Sequence, residues 1–405
     1  MKKTLDRRTE LRRKSIREPA ILEKGRDTAM MKYLKWRNII ASALLAACVA
    51  FSASSARSAD FGKPGDPVHL VVGHPCCYTE VWSVMVLRGK ELWKKYLPQG
   101  STVTYEIGLQ GSTIVNSMLA KKQQIGYIGD LPAIIATTKN NVADVRIVGV
   151  SGVAYDQCNI LLARKDAPDF KSADEAAKWL NGKQMAVPKG TCSDIFARSV
   201  FERANSQPAA YLNQNVEVIT SGFRAGKLDG AAIWEPVASR LVHEGLARRI
   251  ASGVDYGLKD SSYIIMSAEL IEQRPDVVKG WLNAELDAQK FLTEAANADE
   301  VVKQVLTQTT GFPEKSLWMA LYATYPKEQG GTNPRIELPF AFTPEVKGLI
   351  KKGVDFLHSI KGINSPELRP EAVMTQFADA VLEERKMKSP IGAVPALPDS
   401  AYHGK

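Results

Sequence analysis

Two segments roughly a hundred residues apart repeat one local plan. The first is Leu119-Ala120-Lys121-Lys122-Gln123-Gln124-Ile125-Gly126-Tyr127-Ile128-Gly129-Asp130-Leu131-Pro132. The second is Arg224-Ala225-Gly226-Lys227-Leu228-Asp229-Gly230-Ala231-Ala232-Ile233-Trp234-Glu235-Pro236. Each reads as a helix end, a basic turn, a small apolar strand, an acid and a proline. A buried parallel strand of this kind places Gly129-Asp130 and Trp234-Glu235 at its carboxyl edge, where open α/β sheets bind ligands. One such device per half predicts two similar lobes facing each other across a cleft.

The length of 405 residues accommodates two domains with ordinary cores. Apolar content of 45% and charged content of 24% are globular values and exclude a multi-span membrane protein. The net charge of +9 suggests a nucleic-acid partner until its distribution is read. Residues 1–59 hold 14 Lys and Arg against 5 Asp and Glu, so residues 60–405 carry 39 of each sign. The folding part is formally neutral, which removes the nucleic-acid reading.

The basic excess belongs to an export address. We read 1–30 as a disordered start-site extension and 31–59 as a signal peptide. Met31 to Arg37 is a cationic n-region, and Ile39 to Phe51 is an apolar stretch too short to span a bilayer. Ser54-Ser55-Ala56 suits cleavage after Ala56. Leu45-Ala46-Ala47-Cys48 also resembles a lipobox, which would lipidate Cys48. In an exported body, Cys76, Cys77, Cys158 and Cys192 meet an oxidising compartment. They allow three pairings, and the residues leave the choice open. No C-x-x-C spacing occurs, so no structural zinc is expected.

Strand and helix signals alternate along the body. Val68 to Gly73, Val103 to Ile107, Ile125 to Ile128 and Val145 to Val150 read as strands of a parallel sheet. The pattern restarts with the extended Cys158 to Arg164, a helix over 172–180, a strand Gln184 to Val187 and a helix opened by Gly190-Thr191-Cys192-Ser193-Asp194. Strands are also expected at Val216 to Ile219, Arg248 to Ala251 and Tyr263 to Met266. Helices follow near 276–295, 298–308 and 314–323 and after Pro344 and Pro370. Lobe 1 is thus 67–157 plus 256–385, lobe 2 is the inserted 158–255, and the proline-rich 386–405 is a flexible tail.

These residues resemble the bacterial solute-binding proteins of nitrate, sulfonate and taurine ABC importers. The resemblance covers roughly 67–325. It rests on Gly111-Ser112-Thr113, on Ile125 to Ala133, on Asn181 to Thr191, on Gly226-Lys227-Leu228-Asp229 with Trp234-Glu235-Pro236, and on Arg274-Pro275-Asp276-Val277-Val278. It implies a type II periplasmic-binding fold, with two α/β lobes joined by two hinge crossings. It further implies a monomeric, periplasmic receptor without cofactor or resident metal, handing a small anion to the transmembrane subunits of an ABC permease.

Gly111-Ser112-Thr113 and Gly190-Thr191-Cys192-Ser193 are both helix starts, with free backbone N–H groups and a positive dipole end. The resemblance assigns a ligand-lining role to Gln110, Gly111, Ser112, Thr113, Thr191, Cys192 and Ser193. The loop His74-Pro75-Cys76-Cys77-Tyr78 departs from the family pattern and points toward the cleft, with Tyr78, Tyr155 and Trp234 as candidate walls. Gly129 ends its strand at the cleft, and Asp130, Asp156, Asp194 and Glu235 add acid there, any one of which could meet an amine such as that of taurine. Two alternatives stay open: a flat heterocycle of the pyrimidine-precursor type, stacked between the aromatics, and a soft metal complex held by the cleft cysteines with His74. Enzyme signatures are missing from the sequence, which has no G-x-S-x-G, Walker, G-x-G-x-x-G or H-E-x-x-H motif. A Cys77–His74 nucleophile pair has no third group to orient it.

Overall fold

The computed structural model describes residues 60–76 and 78–404. The start-site extension, the signal peptide, Cys48 and Cys77 lie outside the described residues. Along the chain the strands are β1 (His69–Pro75), β2 (Thr102–Gly108), β3 (Ile125–Gly129), β4 (Val145–Ala154), β5 (Ile160–Arg164) and β6 (Gln184–Val187). They continue with β7 (Ala210–Asn213), β8 (Gly230–Ile233), β9 (Ala247–Ser252), β10 (Asp260–Ser267), β11 (Ile336–Leu338) and β12 (Gly392–Val394). They make two sheets, ordered β12-β11-β4-β10-β3-β1-β2 and β7-β6-β8-β5-β9.

Apart from β11 and β12, the sheets share one plan. In the first, β1 lies between parallel β2 and β3, and an antiparallel β10 separates β3 from β4. In the second, β6 lies between parallel β7 and β8, and an antiparallel β5 separates β8 from β9. Each antiparallel strand is the first that the chain enters after crossing from the other sheet. The two repeated sequence segments are β3 and β8, which hold equivalent places. Every residue of both is buried, as small apolar strands covered on two faces should be.

The crossings run side by side. Residues 155–159 lead from β4 to β5, and the turn after β9 leads back to β10. The Gly253 N–H donates to the carbonyls of Tyr155 and Asn159 at 3.0 and 2.9 Å. Alternation along the strands sends neighbouring side chains to different cores. Ile128, Ile147 and Ile265 pack in one cluster, while Tyr127, Val148 and Ile264 pack in another. That second cluster continues through Trp281 and Leu317 to Ile219, Val237 and Leu241, so the lobes share buried surface beyond the crossings.

Three expectations are corrected. The sheets are mixed rather than parallel, because each receives a returning strand. Val216–Arg224 is a helix, not a strand: Asn215 caps it by accepting from the Val218 N–H, and Val216, Ile219, Thr220 and Phe223 are its buried stripe. The true strand, β7, is a half-exposed edge of Ala, Tyr, Leu and Asn with little apolar signal. The expected flexible tail is instead docked. β12 pairs with β11, Val394 is fully buried, and the Leu397 N–H donates to the Tyr322 carbonyl at 2.6 Å. A chain ending at Lys388 should therefore lose about 2–4 kcal/mol, from one buried valine and its hydrogen bonds. A urea midpoint equal to that of the full chain would show that the docked segment contributes nothing.

Candidate functional site

The carboxyl ends of β1, β3, β6 and β8 converge on one cavity of about 460 Å³. Pro75, Tyr78, Gln110, Gly111, Ser112 and Gly129 approach from the first sheet. Cys158, Pro188, Lys189, Thr191, Cys192 and Trp234 approach from the second. Val115, Asn116, Pro132, Ile135, Gly190 and the run Asn213 to Asn215 complete the wall.

Five helix starts are closed by their own side chains, as Ser172, Asn215, Ser252, Ser267 and Thr343 each accept a backbone N–H of the first turn. Other starts are uncapped, among them those of the helices Gly111–Leu119, Asp130–Thr137 and Cys192–Arg203 at the cavity. Gln110 before the helix Gly111–Leu119 and Thr191 before the helix Cys192–Arg203 have extended backbone and make no side-chain cap. Gln110 donates instead to Ser112 Oγ at 2.9 Å, and Thr191 donates back to the Pro188 carbonyl at 2.7 Å. Two uncapped starts from different sheets thus present N–H groups and positive dipole ends to one space, an arrangement that suits an anion. Gly111 permits the first start, since a Cβ there would stand 2.8 Å from Pro132. Gly190 permits the second through its φ of +76°, which L side chains rarely adopt.

Tyr78 forms a fixed wall. Its hydroxyl lies 2.8 Å from Glu80 Oε2 and 3.0 Å from Asp260 Oδ2. One phenol proton cannot serve both carboxyls at once, and two buried carboxyls so close together disfavour each other's charged form. Burial raises Glu80 to about 7 and Asp130 to about 7. It raises Asp260 as well, with the Glu80 charge adding to the effect. On the other wall, Cys158 and Cys192 form a disulfide across 34 residues. A loop of that length contributes about 4 kcal/mol in the chain-entropy account. Cys76 is disulfide-bonded as well. All three described cysteines are therefore oxidised, which removes the thiolates on which a soft-metal site would draw.

Of the residues expected to line a site, Tyr78, Gln110, Gly111, Ser112, Gly129, Thr191, Cys192 and Trp234 do meet at the cavity. Others do not. Thr113 is exposed outside the lining. Ser193 is buried beneath it, donating to the Cys158 carbonyl at 2.8 Å. His74 is fully buried behind β1, and burial lowers its imidazole to about 4. Cys76 lies beside the cavity, outside its lining. Asp130 opens onto a smaller chamber shared with Asp260 and Cys192. Tyr155 lies under Lys259, whose ammonium is 5.0 Å from the ring centre.

Asp156 and Glu235 belong to a buried ion cluster at the crossing. Asp156 pairs with Arg249 at 2.8 Å and with Arg335, and Glu235 lies 3.5 Å from Arg249. Asp194 accepts from the Gly190 N–H at 3.0 Å, from Arg198 and from Tyr211. The acids assigned to an amine are thus engaged elsewhere. Sequence reasoning missed Asn116, Pro188, Lys189 and Asn213 to Asn215. The last three are the end of β7 and the two residues after it, and β7 was sought six residues too late.

The architecture is the two-lobed α/β fold of the periplasmic binding proteins, with its site between the sheets. Residues 68–306 match the model of the NMT1-like family, and the chain belongs to that family. The taurine-binding periplasmic protein of Escherichia coli K12 is 23% identical over 223 residues, covering 53% of this chain and 66% of that protein. The alkanesulfonate-binding protein SsuA from Xanthomonas axonopodis pv. citri, solved with MOPS, superposes with a TM-score of 0.61 at 19% identity, over 77% of this chain and 99% of its own. The nitrate-binding protein NrtA from Synechocystis PCC 6803 gives 0.60 at 14%, over 80% and 90%. The desulfurization enzyme DszB has the same fold, with a TM-score of 0.57 at 12% identity over 78% and 99%, so fold alone does not separate binding from catalysis. No helix among the described residues is long and apolar enough to cross a membrane.

Two outcomes follow from these charges. Asp156→Ala leaves Arg249 and Arg335 buried without that partner and should cost about 3–5 kcal/mol in urea unfolding; a loss under 1 kcal/mol would contradict the role given to the cluster. Glu80 and Asp130 titrate near 4 when unfolded and at about 7 when folded, and burial raises Asp260 well above its unfolded value. Between those values the native chain binds more protons, so their contribution to stability is fullest at low pH and is lost as pH rises through 7. Glu80→Gln should flatten that decline, as measured by urea titrations from pH 4 to 7.5.

Proposed function

We propose that this chain is the exported substrate-binding component of an ABC importer, binding a small organic anion of the sulfonate, nitrate or taurine kind between its lobes. In this reading it is periplasmic, works as a monomer and delivers its ligand to the transmembrane subunits of a permease. The observation that carries it is the pair of uncapped helix starts, one from each lobe, at a single cavity. The names of the relatives support it, since the proteins that they describe bind taurine, alkanesulfonates or nitrate.

Binding without turnover fits the lining. Ser112 is the nucleophile type nearest a helix start, and no histidine or carboxylate of the described residues shares the cavity wall to activate it. A flat neutral heterocycle is the second reading, favoured by Tyr78 and Trp234 on opposite walls and by the unpartnered Gln214 Oε1.

The geometry separates two neighbouring hydroxyls. Ser112→Ala removes a donor at the cavity and should weaken binding of the best sulfonate about tenfold by titration calorimetry. Thr113→Ala, outside the lining, should leave the affinity unchanged. Equal effects of the two would place the ligand elsewhere.

A further inference from the structure

We infer that the ligand is an anion with a flat, apolar body, an aryl sulfonate or aryl carboxylate, rather than a zwitterion or a small inorganic ion. This deepens the receptor reading and rests on it. Three features of the cavity carry the inference.

The first is size. At about 30 Å³ per water the 460 Å³ cavity has room for roughly fifteen waters. A nitrate would fill a small fraction of it and leave the rest wet.

The second is the character of the walls. Tyr78 and Pro132 stand on the first-lobe side, and Trp234, Pro188 and the Cys158–Cys192 disulfide on the second. Apolar surface on both sides suits a planar ring, which loses little conformational freedom on being held. The Tyr78 hydroxyl is fixed behind the wall by Glu80 and Asp260, so its ring is held in place before any ligand arrives.

The third is charge. Lys189 is the one ionisable cation in the lining among the described residues; it stands beside the Thr191 helix start, with its ammonium 5.3 Å from the centre of the Tyr211 ring. No carboxylate of the described residues lines the cavity, and Asp130 opens instead onto the smaller neighbouring chamber. Asp156 and Glu235 are held by Arg249, Asp194 by Arg198 and Tyr211, and Glu80 with Asp260 lie behind Tyr78. An ammonium on the ligand would be desolvated with no counter-charge and with Lys189 nearby, a cost that a monoanion avoids. The lining is thus complementary at one end to a single negative charge and elsewhere to an uncharged ring.

The test is calorimetry and thermal shift on the exported chain with naphthalene-2-sulfonate, benzoate, butanesulfonate, taurine, nitrate and uracil. Naphthalene-2-sulfonate or benzoate should bind at least tenfold tighter than butanesulfonate and at least a hundredfold tighter than taurine or nitrate. Lys189→Gln, at an exposed position, should weaken the aryl anion about tenfold while leaving the ligand-free melting temperature unchanged. Butanesulfonate, taurine or nitrate binding as tightly as the aryl anions would overturn the ligand class and leave the anion receptor standing. Uracil binding with no anion binding would overturn both, as would the absence of any binding.

Discussion

The molecule is organised around one buried electrostatic joint. Asp156 from the outgoing crossing, Glu235 from the end of β8, Arg249 from β9 and Arg335 ahead of β11 meet with almost no exposure to water. Tyr325 lies against both guanidinium groups, with ring centres 4.5 and 5.1 Å from them. Buried charges of this kind are tolerated only when every member is paired. Their four segments are far apart in sequence, and they satisfy one another only if both sheets and the C-terminal segment are assembled. The joint therefore fixes how the second lobe is hung on the first.

That joint has a consequence for motion. Arg249 and Ser252 also donate to the Gly330 carbonyl, and the shared core links Val237 and Leu241 to Leu317. A lobe rotation that parted Asp156 from Arg335 would leave Arg335 with only the 4.0 Å contact to Glu235 as an ion pair. These contacts tie the crossings to the C-terminal segment as well as to each other.

The cleft is built on a division of charge. Positive dipole ends face the cavity with Lys189 in its lining, while of the acids nearby some pair with arginines and Glu80 and Asp260, raised by burial, lie behind Tyr78. Of the acids that look in the sequence like partners for an amine, Asp156 and Glu235 brace a joint, Asp194 steadies the Gly190 turn and Asp130 opens onto a smaller chamber. Their residue type was legible, but their neighbours were not. Arg249 and Arg335 give no local sign of pointing at Asp156, because that contact spans 93 and 179 residues.

The duplicated strand and its carboxyl-edge position were legible from residues 119–132 and 224–236, because small apolar runs bounded by basic turns have few other stable solutions. So were the two glycine-led helix starts, since Gly111 and Gly190 sit where backbone approach and a left-handed turn require them. The helix at Val216 was not, because a β-branched run carries a strand signal until Asn215 is seen to cap it. Nor was the docking of β12, whose partner β11 lies more than fifty residues away. The sequence alone determined the local units, the doubled plan and the family resemblance, all of which depend on neighbours within a turn or a strand. Only the tertiary structure decided which acids face the ligand, which cysteines pair and how the lobes are joined, because those outcomes depend on long-range partners that bury or neutralise a charge.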